Sequence, residues 1–180
     1  MADEPDEAEW PVHDSTVAWE TEYFDAGYDR VERPGGERAN YYWLSPGDSV
    51  SIVAVHEDEV VMVEQYRPRQ RERFRSCPVG GVDPGESFAE AGRRELREET
   101  GYRADDVELL QRYYSEGWLR KERGVVFASG LTPGEQDTDE GEFVDVVDVP
   151  TDEAIEAARG NPANGWTLTP LLLAREEGLL

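Results

Sequence analysis

Between Gly80 and Tyr102 the sequence reads GGVDPGESFAEAGRRELREETGY, and five glutamates fall in this one stretch: Glu86, Glu90, Glu95, Glu98 and Glu99. Carboxylates are hard oxygen donors. Grouped together they hold Mg²⁺, an ion that keeps several waters and offers its remaining positions to phosphate oxygens. A pair of such ions clamps a diphosphate and lowers the pKa of an attacking water. The plainer alternative is a solvated acidic face, the ordinary meaning of a Glu in a chain with 41 acidic and 18 basic residues and a net charge of -23.

The elements that must position these groups are legible nearby. Ser87 followed by Glu90 is a capping box, so a helix starts there. Gly101 is a left-handed terminator. The spacing predicts a helix over Phe88 to Thr100, with Phe88, Ala91 and Leu96 as its packing side. At about 100° per residue, Glu95, Glu98 and Glu99 share an arc of roughly 100°. Arg94 stands one helical turn before Glu98, an ion-pair spacing. The glycines at 80, 81 and 85 let backbone approach ions and phosphates closely.

Around this segment the chain divides into three stretches. Residues 1–15 read as an acidic, flexible tail. Residues 16–48 read as short strands with aromatic alternation, broken at Pro34-Gly35-Gly36. Residues 49–180 read as the main domain. In it, a hairpin turns at Glu57-Asp58-Glu59 and strands follow from Val107, Gly124 and Phe143. A helix ends near Gly160, and a last helix has Thr169 as N-cap and Pro170 in its first turn. Strands mixed with a few helices give an α/β layered sandwich.

Composition narrows the function classes. No run of about 18 apolar residues is present, so no membrane span is expected. The start MADEPDEAEW has neither a basic nor an apolar leader region, and Cys77 is the one cysteine. A cytoplasmic location is expected. The acidic excess argues against nucleic acid as a partner. Lys121 is the one lysine against 17 arginines, a balance typical of salt-adapted proteins, in which salt screens self-repulsion.

Gly80, Glu86, Arg94, Glu95, Leu96, Glu98, Glu99, Gly101 and Tyr102 stand in the order G-x5-E-x7-R-E-U-x-E-E-x-G-U. This resembles the signature box of the Nudix hydrolases, with Tyr102 at a position usually aliphatic. The resemblance implies an α/β/α sandwich with a mixed β-sheet and a small N-terminal antiparallel sheet. It implies that Glu95 and Glu99 bind metal, with Glu98 assisting and the Val79 carbonyl joining them. It gives Glu86 and Arg94 the task of orienting those ligands by ion pairing. The implied cofactor is Mg²⁺, with Mn²⁺ as the alternative. The implied reaction is water attack on a nucleoside diphosphate derivative.

VMVEQYRP and CPVGGVDPGES further resemble the ADP-ribose pyrophosphatase branch, from which Ser76 and Glu116 depart. That likeness implies a homodimer formed through the N-terminal sheet. It also implies a late-loop glutamate as base, here Glu140 or Glu142, for which the alternative is one more acidic loop. The expected activity is hydrolysis of ADP-ribose or a related nucleoside diphosphate sugar to AMP, or another NMP, and a sugar phosphate. Triphosphates or dinucleotides as substrates, or a sensing module without catalysis, are the alternatives. Five arginines in nine residues, Arg67 to Arg75, suit bidentate phosphate contacts. Arg67 and Arg75, with Gly80 and Gly81, are the expected substrate contacts, while Arg71 and Arg73 are expected in ion pairs. Cys77 reads as a packed small residue, and His13 and His56 have no role assigned.

Overall fold

The computed structural model describes residues 9–138, 143–160 and 162–180. The described residues form β1 (Val12–Glu20), β2 (Asp25–Glu32), β3 (Arg38–Ser45), β4 (Ser49–His56), β5 (Glu59–Arg67), β6 (Glu72–Ser76), β7 (Val79–Gly81), α1 (Phe88–Thr100), β8 (Arg103–Tyr114), β9 (Glu122–Thr132), β10 (Val144–Pro150), α2 (Ala154–Arg159) and α3 (Gly165–Glu176).

The chain separates into two compact units. Among the described residues, one comprises 9–47 and Tyr114–Lys121; the other comprises those of Asp48–Tyr113 and Glu122–Leu180. The first is an antiparallel sheet in the order β1-β2-β3. Its strand β1 starts at Val12, inside the stretch read above as tail. The pairing of Val12 with Val31 and Asp14 with Arg30 gives those residues' backbone groups partners in the ladder. The segment from Tyr114 to Lys121 joins this unit through hydrogen bonds from Leu44 N to Trp118 O (3.0 Å) and from Arg120 N to Leu44 O (2.8 Å). The Arg120 guanidinium lies 4.1 Å above the Trp43 ring and pairs with Asp29.

The second unit holds a seven-stranded sheet in the order β10-β5-β4-β9-β8, with β6 on β5 and β7 on β4. β4 and β9 are parallel while β4 with β5 and β5 with β10 are antiparallel, so the sheet is mixed. β4 is buried without a break from Ser49 to Ala54 and β5 from Val60 to Val63, because both faces are covered. Val50, Ile52, Ala54 and Val126 pack with Ala91 and Leu96 of α1. Val53, Val60, Met62 and Val125 pack with Ile155 of α2 and Leu171 and Ala174 of α3. Alternate residues of the same strands thus feed opposite layers, which makes the unit an α/β/α sandwich. The β4–β5 turn places Glu57 and Asp58 both at positive φ, 49° and 67°, the backbone of a two-residue hairpin.

The last helix departs from the sequence reading. It begins at Gly165 after Asn164, not at Thr169, so Pro170 lies inside it. Contacts across the fold hold this early turn. Trp166 packs on Phe74 at 5.4 Å, and Thr167, fully buried, accepts a hydrogen bond from Cys77 N.

Candidate active site

The helix α1 forms because its ends are satisfied locally. The Ser87 hydroxyl accepts from Glu90 N while the Glu90 carboxylate accepts from Ser87 N (2.8 Å). These bonds to Ser87 hold the Glu90 carboxyl below its ordinary pKa. At the other end Gly101 takes φ 78°, and its N–H donates to Arg97 O. A side chain at Gly101 would also strike the backbone of Gly134, whose carbonyl oxygen would lie 2.5 Å from its Cβ.

One guanidinium organises the carboxylates. Arg94 donates through Nε and Nη2 to both oxygens of Glu86 (3.1 and 3.0 Å). Its Nη1 reaches Glu95 (2.8 Å) and Glu98 (3.1 Å), and Nη2 also reaches the Gly81 carbonyl (2.9 Å). Arg94 therefore offsets the repulsion expected of carboxylates on one arc, and it ties α1 to β7 and to the turn before the helix. The Glu86 carboxyl is held below its ordinary range, first by Arg94 and further by Asp83 N, while the Arg94 pKa is raised, first by Glu86.

Glu95 and Glu99 meet β7 directly. A Cβ built on Gly80 would lie 1.8 Å from the Glu95 carboxyl carbon, so the Glu95 carboxylate occupies the space any larger residue would need. Glu99 is 3% exposed, and its Oε2 accepts from Val79 N at 3.0 Å. Its burial sets Glu99 apart from the solvated acidic face that is the plainer alternative for this segment. Glu95, Glu98, Glu99, Glu86, Arg94, Val79, Gly80 and Gly81 thus come together as one constellation.

A hard divalent cation suits these donors in kind, and the bare Gly80 backbone leaves room for the Glu95 carboxylate beside β7. Among the described residues no three His, Cys, Asp or Glu side chains already converge as a cation cage. The carboxylates of Glu95 and Glu98 are turned toward Arg94 instead.

Two contacts that the sequence reading missed fasten the late loop to this helix. Gln136 Nε2 donates to Glu99 O (2.6 Å), and Asp137 N donates to Glu98 O (3.1 Å). The signal was available in principle: the last carbonyls of a helix need donors from elsewhere. Glu140 and Glu142 lie outside the described residues.

The arginine run is only partly gathered. Arg75 binds Glu64 through both Nε (2.9 Å) and Nη2 (2.6 Å), and Arg73 binds Asp145 (2.9 Å). Arg71 sits at φ 59° in the β5–β6 turn, and among the described residues it makes no ion pair. Arg67 closes β5, where its carbonyl accepts from Arg71 N, and no ion pair joins its side chain to α1 among the described residues. Cys77 is fully buried and burial pushes its thiol up to about 12, which leaves it no nucleophilic role. His13 meets Glu32 at 2.8 Å in the first unit, and the His56 ring lies 5.2 Å from that of Tyr102.

Comparison with known proteins agrees with this geometry. Residues 45–171 match the model of the NUDIX domain. The chain is 33% identical over 132 residues to the methanol dehydrogenase activator of Bacillus methanolicus, covering 71% of each chain. It is 30% identical over 136 residues to the ADP-ribose pyrophosphatase of Bacillus subtilis (strain 168), covering 73% of this chain and 74% of that one. A crystal structure of an ADP compounds hydrolase shares the fold with a TM-score of 0.82 at 24% identity, over 96% of this chain and 97% of the other. With the domain match spanning most of its length and the signature helix, its capping box and its arginine-held carboxylates in place, this chain belongs to the Nudix family.

Proposed function

We propose that the protein hydrolyses the diphosphate bond of ADP-ribose or a related nucleoside diphosphate sugar, with Mg²⁺ as its metal and Mn²⁺ as a substitute, giving AMP or another NMP and a sugar phosphate. The observation that carries this reading is the fit of Glu95 against Gly80 and of Glu99 against Val79 N, which sets two carboxylates beside the glycine strand β7. Relatives named for ADP-ribose chemistry support the substrate class.

In this reading Glu95 and Glu99, with Glu98 and the Val79 carbonyl, hold the cation. Bound there, it would neutralise phosphate charge and make water more acidic. Arg94 and Glu86 keep the ligand carboxylates aimed; losing such support typically costs about 10–100-fold in metal affinity or activity. Arg67, Arg75, Gly80 and Gly81 contact the substrate phosphates. Glu140 or Glu142 takes the proton from the attacking water. Gln136 and Asp137 hold the start of that loop to the carbonyls of Glu99 and Glu98, which supports the assignment.

The same reading makes the protein a cytoplasmic, salt-adapted homodimer without a nucleic-acid partner, paired through its N-terminal sheet. The exposed aromatic residues Trp19, Tyr23 and Tyr42 of the first unit support the pairing. No helix among the described residues is long and apolar enough to cross a membrane.

Steady-state kinetics with ADP-ribose, a GDP-sugar and dGTP, with and without Mg²⁺, test the reading. ADP-ribose should give the highest kcat/KM, and Arg67→Ala should raise its KM with kcat little changed. A first rank for dGTP would contradict the substrate assignment.

A further inference from the structure

The flank of α1 that bears Arg93 and Arg97 carries a feature the hydrolytic reading does not use. Glu90, Arg93, Arg94, Arg97, Arg103 and Ala104 line a groove of about 590 Å³. Four guanidinium side chains within eleven residues border one hollow, in a chain whose acids outnumber its bases by 41 to 18. Arg94 is taken up by Glu86, Glu95 and Glu98, and Arg97 touches Glu98, whereas Arg93 and Arg103 have no ion pair among the described residues. The Glu90 carboxylate accepts from both the backbone N and the hydroxyl of Ser87. The Asp105 carboxylate lies against Gly130, where an added Cβ would sit 3.0 Å from its Oδ2.

The arginines differ in how they are held. Arg93 is fixed by its own donors, Nη1 to Ala104 O and Nη2 to Asp105 O at 3.1 Å, so it is already ordered at the groove wall. Arg97, about half exposed, makes a single contact with Glu98 at 3.2 Å. Arg103 is exposed and has no ion pair among the described residues. One ordered and two less engaged guanidiniums around a concave surface form a receptor for a tetrahedral oxyanion, since Arg97 and Arg103 can present N–H groups to it while Arg93 adds a fixed positive charge.

We infer that this groove is a binding site for a phosphate group, either inorganic phosphate or the phosphate of a small phosphomonoester, additional to the diphosphate site at β7 and adjoining it at Arg94. Arg97 joins the two places, because the side chain that would turn to the anion now contacts Glu98. The site requires no hydrolysis and stands whether or not the proposed reaction is correct.

Calorimetric titration of the full chain tests this. Inorganic phosphate and ribose 5-phosphate serve as separate probes, at constant ionic strength set with KCl and without divalent metal. A saturable site should appear for at least one probe. The double variant Arg97→Gln/Arg103→Gln, with an unchanged melting temperature, should weaken it at least about tenfold, the loss of more than one charge-assisted contact. Arg67→Ala should leave it intact. Tighter binding of ribose 5-phosphate than of phosphate would identify the ligand as a phosphomonoester, and the reverse as free phosphate. The inference is overturned if neither probe saturates, if the double variant binds like the parent, or if Arg67→Ala alone abolishes binding. Should the double variant fail to fold, Arg103→Gln alone must still weaken binding measurably, and an unchanged affinity would overturn the inference equally.

Discussion

The two long helices lie on opposite faces of one sheet and are made in opposite ways. α1 carries its own boundary marks: Ser87 and Glu90 cap each other, and Gly101 turns the chain out. α3 carries almost none. Asn164 precedes it without a side-chain cap bond, and Pro170 sits inside it, where the missing N–H leaves one carbonyl without its helical donor. What holds α3 is distant in sequence: Leu171 and Ala174 in the apolar layer, Trp166 on Phe74, and Thr167 on Cys77 N. A helix that presents a constellation of carboxylates gains from ends fixed by its own residues. A helix that only covers a sheet can be fixed by what it covers.

The largest effect that sharpens this contrast should come from Leu171→Ala. It removes a fully buried side chain from the layer that holds α3 and should cost about 2–5 kcal/mol in urea unfolding. A loss well under 1 kcal/mol would mean that α3 does not depend on that layer. Ser87→Ala should cost less, about 1 kcal/mol, because one cap bond is lost while the apolar face of α1 stays packed. If Ser87→Ala proved the more damaging of the two, the contrast would be wrong.

A smaller effect concerns the pH dependence of the α1 region. The Glu86 carboxyl is depressed in the folded chain by Arg94, so its contribution is fully present above the ordinary glutamate value and is lost as pH falls through the lower folded value. The parent should therefore melt above Glu86→Gln at neutral pH, with the gap closing as pH drops through that acid window. A gap that stays constant into strong acid would remove Arg94 as its cause.

The same contrast explains what the sequence disclosed. The bounds of α1, the β4–β5 hairpin and the carboxylate arc were legible because each is written within a few consecutive residues. The start of α3 was misread because Thr169-Pro170 mimics a helix opening, while the contacts that decide the matter come from Phe74 and Cys77, about ninety residues earlier. The threefold grip of Arg94 was half legible. Its pairing with Glu98 follows from helical spacing, but its fork on Glu86 depends on how the turn before α1 folds back. Burial of Glu99 and the ties from Gln136 and Asp137 needed the sheet and the late loop in place. Strand β1 was shortened in the reading because its acidic, polar start resembles a tail, whereas its partner β2 supplies the order.

If the carboxylates of α1, seated on β7, perform metal-assisted hydrolysis, Glu99 is indispensable to that reaction. Glu99→Gln tests it most directly, since glutamine keeps an oxygen to accept from Val79 N and so preserves the packing while removing the charge. ADP-ribose turnover in saturating Mg²⁺ should fall by several orders of magnitude, with the thermal melt close to that of the parent. Turnover that survives the substitution in a well-folded protein would contradict the account.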